Sequence, residues 1–264
     1  MRYLTFTKRN ILELIRDPLS SIFFVVFPGM LFIALSLIMH SLGEEAILNT
    51  PQFEINHLTM AMIVFSFSFI TIFVGNMIAN DKESYFLMRL KSTPMQAKDF
   101  IIGYTLSILP IAAFQEIVML IIGIILGLKV TGYVLIASLL LFPISFLFIG
   151  CGILLGTLTN SASVGGIASI VPTMTSLLGG MFFPLDTMEG AFKKICYIFP
   201  FANATKVSNL VISGDFNILI PYLIVLVYTL VIYIISVLLL NYKLVCSGVR
   251  LFWNTDVDSC LARN

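Results

Sequence analysis

The side chains best placed to do chemistry lie in one polar run, Asn80-Asp81-Lys82-Glu83-Ser84-Tyr85-Phe86-Leu87-Met88-Arg89-Leu90-Lys91-Ser92-Thr93-Pro94. It interleaves acids and bases with apolar residues and then breaks at Pro94. A short helix with apolar residues to bury and charges to orient it suits docking into another protein. A solvated loop has little reason to carry Tyr-Phe-Leu-Met in a row. The second candidate is Glu116, the single charged side chain inside otherwise uncharged apolar stretches. An acid at membrane depth is expensive and is by default a functional hypothesis. A proton or cation relay needs a chain of further ionisable groups, and the other stretches hold none. A protonated or hydrogen-bonded carboxyl bridging to a neighbouring helix is therefore preferred.

Motifs that would make the chain an enzyme are missing. There is no GxxxxGK[ST] loop to cradle nucleotide phosphates, no HExxH and no GxSxG. His40 and His57 are separated by a loop with Glu44, Glu45 and Glu54, residues of mixed type without ligand spacing, so no metal site is expected. Cys151, Cys196, Cys246 and Cys260 form no CxxC pair, and no two of them share an oxidising compartment, since Cys246 and Cys260 fall on the cytoplasmic side; a disulfide or zinc framework is disfavoured. No catalytic residue is assigned.

The elements that must position these groups follow from composition. Of 264 residues, 59% are hydrophobic and 11% charged, against about 45–50% and about 25% for soluble domains. A net charge of +1 leaves no polybasic footprint for nucleic acid. A bilayer core about 30 Å thick calls for about 20 apolar residues per helix. Six stretches qualify, at about 19–39, 58–79, 101–128, 133–158, 164–183 and 218–242. Continuous apolar runs disfavour a β-barrel, whose strands alternate. The first run is long for a signal-peptide core and lacks a small-residue cleavage site, so it is read as retained.

Arg2, Lys8, Arg9, Arg16, Lys82, Arg89, Lys91, Lys98, Lys243, Arg250 and Arg263 fall on one side, and Lys129, Lys193, Lys194 and Lys206 on the other. That bias puts both termini in the cytoplasm. The expectation is one integral transmembrane domain over 1–246, with a tail over 247–264 of unassigned role. Before span one, Leu4, Ile11, Leu14 and Ile15 recur at helical spacing among basic residues, which describes a helix in the headgroup plane ended by Asp17-Pro18. After span five, Met188, Phe192, Ile195 and Phe199 share a helical face, and Pro200-Phe201 separates them from 202–212; these pieces suit interfacial or re-entrant helices. The sequon Asn203-Ala204-Thr205 lies among them. Gly123…Gly127 and Gly152…Gly156 are GxxxG patterns that let helix backbones approach. In span two, Met62, Phe65, Phe69 and Phe73 recur at spacings of three and four, continued by Asn76; such a stripe is more often packing than pathway.

Three segments, in this order and spacing, resemble the permease subunits of type-2 ATP-binding-cassette (ABC) exporters, drug and bacteriocin-immunity transporters among them. They are Arg16-Asp17-Pro18, the run from Asp81-Lys82-Glu83 to Ser92-Thr93-Pro94, and Gly179-Gly180-Met181-Phe182-Phe183-Pro184. The likeness spans roughly 9–242, with Tyr85-Phe86 and Met188-Glu189 standing where family members often have Gly-Thr and Met-Pro. It implies an all-α membrane protein of six transmembrane helices, with an N-terminal interfacial helix, a cytoplasmic coupling helix and outer re-entrant helices between spans five and six.

It also implies ATPase coupling through Asp81, Lys82, Glu83, Tyr85, Phe86, Leu87, Arg89 and Leu90, and an outer gate at Gly179, Gly180, Phe182, Phe183 and Pro184. Spans two and five would face a second permease subunit, identical or related, so the stripe from Met62 to Asn76 would line a pathway for a hydrophobic or amphipathic cargo (drug, peptide or lipid-like). ATP and magnesium would sit on a separate ABC ATPase subunit, with no cofactor on this chain. The implied setting is the cytoplasmic membrane. A proton- or ion-coupled secondary transporter using Glu116 is the alternative, and an intramembrane enzyme a weaker one.

Overall fold

The computed structural model describes residues 2–16, 18–42, 53–84, 97–180, 191–215 and 217–252. Among them there is no strand, and eleven α-helices follow one another: α1 Arg2–Arg16, α2 Pro18–Leu42, α3 Ile55–Glu83, α4 Ala97–Ile125, α5 Gly132–Leu141, α6 Ser145–Leu158, α7 Ser161–Ala168, α8 Ile170–Leu178, α9 Ala191–Ile198, α10 Pro200–Ile212 and α11 Leu219–Phe252. A 3₁₀ turn at Phe142–Ile144 joins α5 to α6. It sits at Pro143, which cannot donate the helical hydrogen bond. Five helical segments are long and apolar enough to cross a membrane: α3, α4, α5 with α6, α7 with α8, and α11 from Leu219 to Tyr242. The expected first span is the 25-residue α2, long enough at 1.5 Å per residue to measure roughly 37 Å. Pro18 opens it, the helical position where a missing N–H costs nothing; Asp17 lies outside the described residues.

The central helix is α3. It is apolar on every side, as a helix surrounded by protein must be, and 83% of its most apolar window is buried. Packing around it are α2, α4, α6, α7, α8 and α10. Its approach to α6 is set by glycines: a Cβ at Gly152 would stand 2.8 Å from the Thr71 carbonyl oxygen, and one at Gly156 2.6 Å from that of Gly75. The second GxxxG pattern thus joins two spans of one chain. The first does so only in part. Gly123 packs on Thr59, but a Cβ built at Gly127, whose φ of +107° is left-handed, would meet nothing within 4 Å. Leu128 donates to the Gly123 carbonyl and Gly127 to that of Ile124, so Gly127 closes α4 with a Schellman cap. This is why span three ends at Ile125 rather than near 128.

Other boundaries also move. Span five runs from Ser161 to Leu178 and is interrupted at Ser169, because Pro172 has no N–H for the Ala168 carbonyl. Helix α11 does not stop at Tyr242 but continues to Phe252; no proline intervenes to halt it. In α1 the packed face is Phe6, Thr7 and Asn10, while Leu4 and Leu12 are exposed, so the helix docks by a face that alternates aromatic and polar groups.

Candidate functional site

Helix α3 carries its apolar surface to Ala79 and then ends in Asn80-Asp81-Lys82-Glu83. Successive helical residues point about 100° apart, so the three charged side chains leave the helix in three directions. Each meets a different element.

Asp81 turns inward and is 3% exposed. Arg9 of α1 grips it with both ends of the guanidinium, Nη1 to Oδ2 and Nη2 to Oδ1, each at 2.8 Å. The Tyr104 hydroxyl of α4 donates to Oδ2 at 2.7 Å. Charge-assisted, bidentate bonds of this kind are the strong ones, and a buried carboxylate without them would be severely penalised. Arg9 also reaches Asn10 Oδ1 at 2.9 Å and Glu13 at 2.9 Å. Burial alone would lower the Arg9 pKa, but the hydrogen bonds and charge of Asp81 outweigh it and the net shift is upward. For Glu13, burial and the nearby Asp81 raise the carboxyl despite the contact with Arg9.

The α1 docking is shaped as well as charged. Phe6 meets the edges of Phe100 and Tyr104 at ring-centroid distances of 5.4 and 4.9 Å. It occupies the hollow left by Gly103, where a Cβ would stand 2.3 Å from Phe6 Cδ1. Thr7 Oγ1 donates to the Gly103 carbonyl at 3.3 Å.

Lys82 points to the end of α6, where its Nζ donates to the carbonyls of Gly156 and Thr157 at 3.4 Å and to that of Thr159. These are carbonyls of a helix C-terminus, which lack intrahelical donors and carry the negative end of the dipole. Glu83 points to the start of α7 and accepts the Ser161 N–H at 2.8 Å and the Ser161 hydroxyl. Asn160, at the N-cap position, makes no side-chain cap bond, so a carboxylate from another helix satisfies the positive end. The other expected coupling residues, Tyr85, Phe86, Leu87, Arg89 and Leu90, lie outside the described residues.

The remaining expected positions are spread over the bundle. In the α3 stripe, Met62 is fully enclosed and Phe65 buried, whereas Phe69, Phe73 and Asn76 are half-exposed. Phe69 touches Phe65 and Phe27 at 5.1 and 5.3 Å, and Asn76 donates to its own helix at Ile72. Glu116 of α4 is 6% exposed, next to Gln115, whose amide donates to the Ser66 carbonyl at 2.8 Å.

At the opposite end Gly179 accepts a hydrogen bond from Thr205 of α10 at 2.5 Å, and Gly180 adopts φ +72°. Phe182, Phe183 and Pro184 lie outside the described residues, as do Glu44, Glu45 and Met188. Asn203 is 3% exposed and donates to the Tyr197 and Phe199 carbonyls at 2.8 and 3.0 Å. The sequon asparagine therefore ties α9 to α10 and faces away from solvent. His57 bonds Asn209 at 3.1 Å, and no three His, Cys, Asp or Glu side chains converge among the described residues.

Sequence reasoning missed Arg9, Tyr104 and Ser161 as members of this joint. Arg9 and Glu13 stand at i and i+4, the pattern of a solvated helix pair, and Tyr104 sits in an apolar run with nothing to mark its hydroxyl.

No curated protein matches the chain at a significant level. The family model of the ABC-2 type transporter matches residues 1–209, a range that takes in the whole joint, the central α3 and the tie between Thr205 and Gly179. The chain belongs to the ABC-2 type transporter family, as a multi-pass membrane component.

Proposed function

We propose that this chain is the membrane-spanning permease subunit of an exporter that lies in the cytoplasmic membrane with both termini in the cytoplasm. ATP bound with magnesium is hydrolysed on a separate ABC ATPase subunit, which docks on Tyr85, Phe86, Leu87, Arg89 and Leu90. The observation that carries this reading is the joint immediately before that segment. Asp81, Lys82 and Glu83 are consecutive, and they hold α1 with α4, the end of α6, and the start of α7, respectively. Force applied at the docking segment therefore enters four helices through one helical turn.

The cargo is a hydrophobic or amphipathic compound. Phe69, Phe73 and Asn76 are the members of the α3 stripe that keep exposed surface, and they offer aromatic area with one amide, a lining suited to apolar ligands. A second permease subunit completes the transporter. Only 22% of the most apolar window of α7 with α8 is buried, and Ala162, Ser163, Gly166, Ser169 and Thr173 are exposed on it. Small and hydroxyl-bearing residues are what close helix association in a membrane uses, and they are poorly suited to face lipid alone.

The test replaces Phe86 and Leu87 with Asp. Co-purification of the ATPase subunit and ATP-dependent export from inverted vesicles are both expected to be lost, with the bundle still folded. Retention of both would reject the docking role. ATP hydrolysis by the purified chain alone would reject the division of labour.

A further inference from the structure

Helix α7 is held in an unusual way. Its N-terminus has no side-chain cap of its own; Glu83 supplies one from α3. The connector before it, Thr159-Asn160, is extended at both residues. It is bracketed by Lys82 on the carbonyl side and Glu83 on the amide side, so the turn between α6 and α7 is stapled to the last turn of α3 by two opposite charges. Along its length α7 touches the core through two side chains one turn apart, Val164 and Ala168, both fully buried. Val164 fits the hollow at Gly75, where a Cβ would meet it at 3.0 Å. The rest of α7 is open, and nothing lies within 4 Å of a Cβ built at Gly165 or Gly166. At its far end the backbone stays helical through Ser169, which donates to the Gly165 carbonyl and accepts from Thr173; the break is one of hydrogen bonding, since Pro172 has no N–H for the Ala168 carbonyl. Beyond the break α8 has a separate anchorage, with Thr175 buried and Gly179 held by Thr205.

A rod fastened at one end, resting on a two-point ridge and hinged at the other is a lever. We propose that α7 is the element that moves span five: displacement of the docking segment, passed through Lys82 and Glu83, swings α7 about the Pro172 break while α8 stays in place. The face displaced is the one bearing Ala162, Ser163 and Gly166. Lys82 and Glu83 are thus positioning residues, acting on the pathway through α7 without touching cargo. This mechanism rests on the exporter reading above and specifies how that exporter's docking segment reaches the pathway.

The experiment uses the full permease–ATPase complex in lipid nanodiscs. Amide hydrogen exchange over 161–168 and 170–178 is compared between the nucleotide-free and the vanadate-trapped ATP states, and export per ATP hydrolysed is measured in proteoliposomes, normalised to bound ATPase. For the native chain, exchange over 161–168 differs between the states and exchange over 170–178 does not. In K82M/E83Q the difference over 161–168 disappears and export per ATP falls about tenfold, within the usual range of coupling energies. K82R/E83D, which keeps both charges, recovers most of the ratio. P172A allows residue 172 to donate to the Ala168 carbonyl and stiffens the hinge, so it lowers the ratio although both charges are intact. A native exchange difference and ratio in K82M/E83Q would overturn the lever and leave the exporter standing. Failure of the native chain to bind the ATPase or to export with ATP would overturn both.

Discussion

Removing Arg9 and removing the charge of Asp81 break the same contact, yet the structure makes them unequal. The Asp81 side chain is 4% exposed and that of Arg9 33%. In R9M the carboxylate stays buried and keeps only the Tyr104 hydroxyl. Stripping one partner from a buried ion pair costs about 3–5 kcal/mol; with Arg9 a third exposed, water can enter where it stood, and about 2–4 kcal/mol is expected. In D81N the amide oxygen still accepts from Tyr104, and Arg9 retains Glu13 at 2.9 Å and solvent. The loss is then about 1–2 kcal/mol, the scale of a weakened hydrogen bond. Because the R9M penalty comes from the stranded charge, adding D81N to R9M should recover part of it, a coupling of about 1–3 kcal/mol. Denaturant unfolding of the purified protein in mixed micelles, followed by far-UV circular dichroism, measures all three variants. An R9M no less stable than D81N, or a double variant whose losses simply add, would refute the assignment of Asp81 as the buried and Arg9 as the solvated partner.

Three further outcomes follow from the same geometry. G103A pushes a methyl to within 2.3 Å of Phe6, whose ring is flanked by Phe100 and Tyr104; about 1–3 kcal/mol should be lost, and F6A should cost less in that background than alone, so full additivity by the same unfolding assay would count against the hollow. Glu13 is a carboxyl whose pKa the fold raises, first through burial and then through Asp81. Such a group favours the fold at low pH and loses that contribution as pH rises through its folded-state value. E13Q should therefore gain stability relative to the native chain on going from about pH 4 to about pH 7, despite the visible ion pair with Arg9, and an E13Q less stable at neutral pH would show that the pair dominates. E116Q should leave export nearly intact, since the other predicted spans hold no acidic or basic side chain to relay with it; abolished export with normal folding would favour ion coupling.

Much of this molecule is legible from composition and punctuation. Apolar runs long enough to span a bilayer locate the helices, because in lipid the backbone has no other way to satisfy itself, and Asp17-Pro18 marks where α2 begins; Pro143 and Pro172 interrupt runs that read as continuous, whereas Pro28 and Pro110 lie within unbroken helices. The polar run after Ala79 stands out for the same reason, since charge is scarce. What the residues do not disclose is who meets whom. Phe6 carries no polarity or periodicity that would pair it with Gly103, and the hydroxyl of Tyr104 is invisible within its apolar run. The glycine patterns illustrate the limit: Gly152 and Gly156 are packing contacts, while Gly127, in an identical GxxxG spacing, is a helix cap with open space where a side chain would stand. Spacing reports that a small residue recurs; the backbone dihedral and the neighbour decide what it is for.

The distribution of strong polar contacts explains why one turn of α3 can matter so much. Within the membrane depth of the bundle, the hydroxyls of Ser66, Ser107 and Ser236 donate to carbonyls of their own helices, bonds that tie no helix to its neighbour. Thr71 and Gln115 do reach across, to the carbonyls of Phe148 and Ser66, but with neutral donors on neutral acceptors. Apolar packing there is non-directional, so helices held mainly by it can shift against each other at little cost in specific bonds. Directional, charged contacts are concentrated, among the described residues, at Asp81, Lys82 and Glu83. Glycine contacts at Gly152 and Gly156 keep α6 close against α3, while the charged clamp at one end of α3 ties it to α1, α4, α6 and α7; in the exporter proposed above, a push on the segment after Glu83 would reach those helices together.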